Sequence, residues 1–412
     1  MHRVRFLVWG AGVTFLAGCA PSASAYDADL VRPGLEVLVT DSLHLVQGLR
    51  VGLLTNQAGV DHRGVSGVEV LLAAGVRLTA LFSPEHGFRG QAAPGEAVNS
   101  TSDSATGLPI YSLYGATPAP TAEMLAMVDV ILVDLQDVGA RYYTWLATVI
   151  RVLTAAEQHG VSVIILDRPN PIGGMVQGNI LDTSYRSPVG MLAVPMRHGL
   201  SFAELVRLGA ADLGVASSFG IVPIDGWDRN QFLDEIGLPF IPPSPNLKDV
   251  EALFHYPGLC LFEATGLSVG RGTDAPFHQI GIPGLDTVRV LADVRAAGVP
   301  GVRFAGTSFT PRNPGDGKFG DTTVVGVRLK VTDRSRYDPV LAAVTLLDVV
   351  RRVHPFLIAI DSLRFDRLAG GPVLRAALQR GVSPSEIVSG WDDQHAEYLA
   401  RRRPSLLYPL YP

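Results

Sequence analysis

VDVILVDLQDVGARYYTW, residues 128–145, decides how this chain is read. Its first part, VDVILVDL (128–135), is a nearly continuous apolar run without the alternation of a strand that has one wet face. Such a strand is covered on both sides, which places it inside a parallel sheet flanked by helices. The chain then turns polar at Gln136, Asp137 and Arg141. It passes into YYTWLATVIRVLTAAEQHG, where apolar residues recur at helical spacing up to a glycine cap. LRVGLLT (49–55), VRLTALF (76–82) and VSVIILD (161–167) are runs of the same kind, and GVEVLLAAG is a second helical stretch. Strand, polar loop and helix in repetition predict an α/β fold, an open, doubly wound and mostly parallel sheet.

Further along, Ser201 and Glu204 stand at capping-box spacing before the helical LSFAELVRLGAADLG, which makes Glu204 a helix cap before a catalytic acid. After PFIPPSPNL (239–247) the texture changes. GLCLFEA (258–264) reads as a strand, TTVVGVRLKVTD (322–333) as antiparallel strand and DPVLAAVTLLDVVRRVH (338–354) as helix. The expected organisation is a catalytic α/β domain over 31–254 and a smaller α+β domain over 255–412, with no internal repeat.

The 412 residues are 47% apolar and 18% charged, enough to build large cores, and the net charge of −5 comes without a Lys/Arg block. No nucleic-acid partner is expected. At the N-terminus MHRVR precedes an apolar stretch, FLVWGAGVTFLA, which has the length of a secretory signal core and is too short to span a bilayer. Leu16-Ala17-Gly18-Cys19 resembles a bacterial lipobox, with Cys19 as the lipidated mature N-terminus. Residues 1–18 would then be a signal peptide and 19–30 a tether, giving an exported, membrane-anchored envelope lipoprotein on the periplasmic side. The alternative is ordinary cleavage near ASA at 23–25. Cys260 is then the remaining thiol, read as a buried small hydrophobe, so no disulfide framework is expected.

Each predicted parallel strand ends in polar residues: Thr55, Asn56, Gln57 and Asp61; Glu85, His86 and Arg89; Asp134, Gln136, Asp137, Arg141 and Tyr142; Asp167, Arg168 and Asn170. Ligands of open α/β sheets bind at the carboxyl edge of the strands, where these loops must gather. No G-x-G-x-x-G follows the first strand and no phosphate loop occurs, so no nucleotide cofactor is expected. G-x-S-x-G is absent too. Glu85, His86, Asp134 and Asp137 carry no metal-ligand spacing, and no metal is expected. Carboxylates around a cleft, with neither nucleotide nor metal, suit glycoside hydrolysis, in which one acid protonates the leaving oxygen and a second group acts on the opposite face of the sugar. Asp134 and Asp137 also fit a structural reading, holding backbone N–H groups or a neighbouring arginine. In LFEATGLSVGRGTDAPF (261–277), Glu263 and the GRGT turn with Arg271 can meet an anion or close a salt bridge between themselves.

Taken together, GLLTNQAGVD, LFSPEHGFRG, VDVILVDLQDVGARYYTW, ILDRPNPIGG, VPMRHGLSFAEL, PPSPNL and YPG…FEATGLSVGRGTDAPF resemble, in order, the NamZ-type exo-β-N-acetylmuramidase family, and the tail LLYPLYP is similar as well. The resemblance implies a Rossmann-like catalytic domain joined to a smaller C-terminal domain, with the site in the cleft between them. It also implies release of N-acetylmuramic acid from the non-reducing end of peptidoglycan fragments, muropeptides or MurNAc–GlcNAc, without a cofactor. The family's suspected catalytic acid falls on Glu85 and its second glutamate on Glu263, and Asp137 joins them as a catalytic candidate. His198, Asn246 and Thr273, in the matching stretches, join Asn56, Gln57, His86, Arg89, Asp134, Gln136, Arg141, Tyr142, Arg168, Asn170 and Arg271 as substrate-contact candidates. The chain departs from the family at Gly266, where asparagine is usual, and at Val269, where glutamate is frequent, so contacts there should differ. The lactyl carboxylate of the sugar needs a cation; Arg271, Arg89, Arg141 and Arg168 are the candidates, with Arg271 preferred. The competing expectation is a lipoprotein that binds muropeptides without cleaving them. A third is a hydrolase of the peptide or ester part of the wall.

Overall fold

The apolar runs become strands of one sheet in the computed structural model, which describes residues 30–216 and 218–409. The expected signal peptide and Cys19 lie outside the described residues. No helix among the described residues is long and apolar enough to cross a membrane. The strands are β1 (Val51–Thr55), β2 (Leu78–Ser83), β3 (Thr101–Ser102), β4 (Pro109–Ser112), β5 (Val130–Asp134) and β6 (Ser162–Leu166). After β7 (Gln177–Ile180) and β8 (Pro195–Arg197), a separate antiparallel pair, comes β9 (Gly220–Val222). The main sheet runs β3-β4-β2-β1-β5-β6-β9, parallel except for β3. Chain order reverses direction across β1 and β5, which pair from Val51↔Val130 to Thr55↔Asp134. That reversal opens a crevice at their carboxyl ends.

The helices over the first half are α1 (Gly34–Asp41), α2 (Gly67–Ala73), α3 (Ala122–Leu125), α4 (Trp145–Gln158) and α5 (Phe202–Asp212). Alternate β5 residues serve opposite layers. Ile131 and Val133 pack with α4 and α5, while Val130 and Leu132 pack with α1 and α2. Two-sided burial is why the run is apolar throughout. The Ser201–Glu204 capping box forms as expected, and Glu204 also pairs with the buried Arg229 guanidinium.

The second half holds α6 (Val250–Leu259), β10 (Gln279–Ile282), α7 (Thr287–Ala296), β11 (Val302–Phe309), β12 (Val324–Val331) and α8 (Pro339–Val353). It continues with α9 (Ser362–Ala369), α10 (Val373–Arg380), α11 (Pro384–Ser389) and α12 (Asp392–Arg402). Here β12 is central to an antiparallel sheet, β10-β12-β11. One expectation is corrected: GLCLFEA is no strand, because it ends α6 and continues as a 3-10 turn over Cys260–Ala264. A short run buried on all sides has the same apolar texture in either geometry. Cys260 is buried, as expected. The tail returns to the first half, where the Tyr408 hydroxyl donates to Asp167 Oδ2 at 2.6 Å and accepts the Ile224 N–H at 2.8 Å.

Candidate active site

Glu85 sits one residue beyond Pro84 at the end of β2, and the chain turns immediately after it. His86 and Gly87 both take left-handed backbone angles, φ 69° and 75°, an uncommon conformation for a non-glycine residue. Gly90 makes the turn close, since a Cβ there would lie 2.0 Å from the Gln57 side chain. Glu85 is nearly buried and both its oxygens are held: Oε1 accepts the Gly95 N–H at 3.0 Å and Oε2 accepts the Thr144 hydroxyl at 2.7 Å. Tyr114 leans on it as well. Burial, the Glu85 charge and a hydrogen bond to Glu85 push the Tyr114 hydroxyl up to about 12. His86 Nδ1 must donate to the Ala92 carbonyl at 2.8 Å, which leaves Nε2 an acceptor in the neutral ring. Burial holds the His86 pKa below its usual value, and the Arg271 charge adds to that.

Asp137 follows β5, which is separated from β2 by β1, and it is buried. Its Oδ2 accepts the Gly139 N–H at 2.7 Å and faces His198 Nε2 at 3.2 Å. His198 Nδ1 accepts the Leu200 N–H at 3.2 Å, so Nε2 carries the proton and donates to Asp137. Asp137 Oδ1 takes no protein hydrogen bond among the described residues. The hydroxyl of Tyr143 is buried without a partner among them, and its pKa is raised by burial and by the charges of both Asp137 and Glu85. One phenol therefore stands within electrostatic reach of both carboxylates.

Glu263 and Arg271 face each other on the 3-10 turn and the GRGT turn. Arg271 Nε donates to Glu263 Oε1 at 2.6 Å, and Nη2 reaches the same oxygen. Burial works against the Arg271 charge, but Glu263 outweighs it and the pKa is raised. Nη1 is buried without a partner among the described residues. With Glu263 committed to this pair, Arg271 brings a fixed cation with one spare donor into electrostatic reach of His86.

At the same sheet edge a cleft of about 460 Å³ is lined by Asn56, Gln57, Phe88, Arg89 and Asp103, with Glu85 outside the lining. Asn56 Oδ1 caps the Ala58 N–H, while its buried Nδ2 has no partner among the described residues. Gln57 donates to the Pro242 carbonyl at 2.8 Å. The Arg89 side chain is 62% exposed and touches Asp103 at only 3.4 Å, so it is the arginine of the four that is free to move.

Other candidates belong to the scaffold. Arg168 grips Asp134 with two bonds, 2.5 and 3.0 Å, and both are buried, so neither offers a charge to a ligand. Arg141 is also buried and donates to the Asn179, Val194 and Leu368 carbonyls. These geometries correct the expectation that Arg141 and Arg168 could meet a substrate carboxylate. The Tyr142 hydroxyl bonds the Pro257 carbonyl, Gln136 bonds the Asp137 and Pro169 carbonyls, and Asn170 bonds Leu200 and Ile172. Thr273 closes its own turn on the Gly270 carbonyl. Asn246 is half-buried with no side-chain bond among the described residues. Thr144, Tyr143, Tyr114 and Gly95 escaped the sequence reading. Tyr143 and Thr144 do lie in the polar loop after β5, but nothing in their spacing points at Glu85.

Profiles described as "Exo-beta-N-acetylmuramidase NamZ", N-terminal and C-terminal, match residues 51–251 and 254–408. The chain is 37% identical over 384 residues to the "Peptidoglycan beta-N-acetylmuramidase NamZ" of Bacillus subtilis (strain 168), covering 92% of this chain and 91% of that one. Two crystal structures of DUF1343 family proteins from Bacteroides fragilis NCTC 9343 have similar folds. The first has a TM-score of 0.84 at 29% identity, over 92% of this chain and 100% of that one. The second has a TM-score of 0.74 at 30% identity, over 92% and 99%. The ordered loops of the carboxyl edge, the paired profiles and the near full-length relative agree: the chain belongs to the NamZ family of exo-β-N-acetylmuramidases.

Proposed function

We propose that the chain is an exo-acting glycoside hydrolase that releases N-acetylmuramic acid from the non-reducing end of peptidoglycan fragments. The observation that carries the reading is Glu85, a nearly buried carboxyl held by the Gly95 N–H and the Thr144 hydroxyl at the carboxyl edge of the sheet. Glu85 is the general acid, protonating the glycosidic oxygen as the bond breaks. Asp137 is the second group. Its Oδ2 is fixed by Gly139 and His198, which leaves Oδ1 to a water or to charge developing at the anomeric carbon. Arg271 receives the lactyl carboxylate through Nη1, while Glu263 orients the guanidinium.

Incubation of the purified chain with a MurNAc–GlcNAc disaccharide and with a chromogenic β-N-acetylmuramide tests the reading. Free N-acetylmuramic acid is expected from both, and failure to release it from either refutes the function. The envelope location rests on Leu16-Ala17-Gly18-Cys19. Cys19→Ser should shift the protein from the membrane fraction to the soluble one, and unchanged fractionation would remove the lipid anchor.

A further inference from the structure

Away from the carboxyl edge, one cluster has an unmet chemical need. Glu251 and His255 lie four residues apart on α6, so they share a face of the helix. His278 comes from the segment before β10, where its carbonyl accepts the Leu329 N–H of β12 at 2.8 Å. One donor atom from each of the three lies within 4.8 Å of the other two. We propose that Glu251, His255 and His278 bind a single divalent transition-metal ion, with zinc the best match, which ties α6 to the β10-β12 sheet.

The orphaned nitrogen of His255 points to a ligand. The ring is fully buried, with Nδ1 at 2.7 Å from the Tyr337 hydroxyl, while Nε2 has no hydrogen-bond partner among the described residues. A buried, unsatisfied polar atom of this kind costs about 1–3 kcal/mol. Glu251 Oε1 lies 3.7 Å from it, beyond hydrogen-bond reach. That separation suits two ligands of one ion. Zinc bonds of about 2.0–2.2 Å in tetrahedral geometry put neighbouring ligand atoms roughly 3.4 Å apart.

The surroundings are those of a metal centre. Tyr337 holds the far nitrogen of His255, as an outer partner does for a ligating imidazole. The Val331 N–H donates to Glu251 Oε1 at 2.8 Å and fixes that carboxylate. Both Asp249 oxygens lie 3.0 Å from His278 Nε2, which orients the second ring and adds negative charge at the rim. Two imidazoles with carboxylate oxygen favour zinc over the all-oxygen preference of magnesium or calcium. The main opposing feature is the Lys330 ammonium on Glu251 Oε2, with the Arg334 charge farther off. The Lys330 side chain is 69% exposed, so it can swing into solvent when a dication arrives.

Titration of the untagged, chelator-stripped chain with zinc sulfate, by calorimetry and against a chromophoric competitor, tests the site. One equivalent per chain is expected, bound more tightly than about 1 µM. Zinc at a hundred times its Kd should shift the folding equilibrium about a hundredfold. Glu251→Gln and His278→Gln should each weaken binding at least tenfold, while circular dichroism shows that each metal-free variant is still folded at the titration temperature. Lys330→Met removes the competing cation and should bind zinc at least as tightly as the wild type, and weaker binding would count against Glu251 as a ligand. Absence of a saturable site, or wild-type affinity in both glutamine variants, overturns the proposal. Hydrolase activity plays no part in this readout.

Discussion

Glu85→Gln separates a proton donor from a binding group. The replacement is isosteric, and its local cost is small. The amide oxygen can still accept the Gly95 N–H and the Thr144 hydroxyl can turn to accept from the new amide NH2, so only the Tyr114 hydroxyl has to share or give up its acceptor. The fold should lose no more than about 1 kcal/mol. What disappears is the transferable proton. Positioned acids contribute about 10²–10⁴ in rate, or roughly 3–5 kcal/mol of barrier. The loss must depend on the leaving group. An N-acetylglucosamine alkoxide needs protonation and should show the full fall in kcat/KM, whereas 4-nitrophenolate leaves without it and should show less than about a tenfold fall. Measuring kcat/KM for both substrates with wild type and variant confines the readout to cleavage of the glycosidic bond. Equal losses on the two substrates, or none on either, would refute Glu85 as the acid.

Other changes probe the surroundings of that group. Arg271→Met should destabilise the fold by about 2–4 kcal/mol in urea unfolding because it leaves the largely covered Glu263 carboxylate without its guanidinium. Arg271→Met with Glu263→Gln should recover most of that loss while KM for a muramide rises tenfold or more; wild-type KM in the double variant would exclude Arg271 from the lactyl group. Arg168→Met should cost about 3–5 kcal/mol by stranding Asp134, visible as a lower Tm, and a neutral effect would show that the pair is no clamp. Asp167 gives a pH signature. Burial raises its pKa to about 7 from the ordinary 3.8, so between those values the folded state keeps a proton that the unfolded chain has lost. Its stabilising contribution is therefore complete below about pH 4 and disappears as pH rises to 7, on the order of 4 kcal/mol over that window. Asp167→Asn should flatten the decline between about pH 4 and 7 in urea unfolding, and parallel pH profiles would refute the assignment.

Much of the fold follows from short-range pattern. β1, β2, β5 and β6 are legible because a strand buried on both faces is apolar at every position, as the opposite allegiances of Val130 and Ile131 illustrate. The α5 cap is legible because Ser201 and Glu204 solve a local problem, the unpaired N–H groups of a helix start. The gathering of Glu85 and Asp137 on one edge follows from parallel strands alone. GLCLFEA has the texture of a strand but folds as a helix end and a 3-10 turn, because complete burial erases the periodicity that separates helix from strand.

The arginines mark where pattern stops. In sequence, Arg89, Arg141, Arg168 and Arg271 are four cations in polar loops. Their duties depend on partners the local sequence does not announce. Arg141 meets the Leu368 carbonyl 227 positions away, Arg168 meets Asp134 across two strands, and Arg271 spends two of its nitrogens on Glu263. Likewise Glu85 is held by a backbone amide and a hydroxyl from separate loops. By itself the sequence determined which loops share an edge and which residue types the edge carries. Only the tertiary structure decided which of those charges are neutralised inside the protein and which keep a free donor or acceptor, because a buried charge is set by three-dimensional neighbours and not by spacing along the chain.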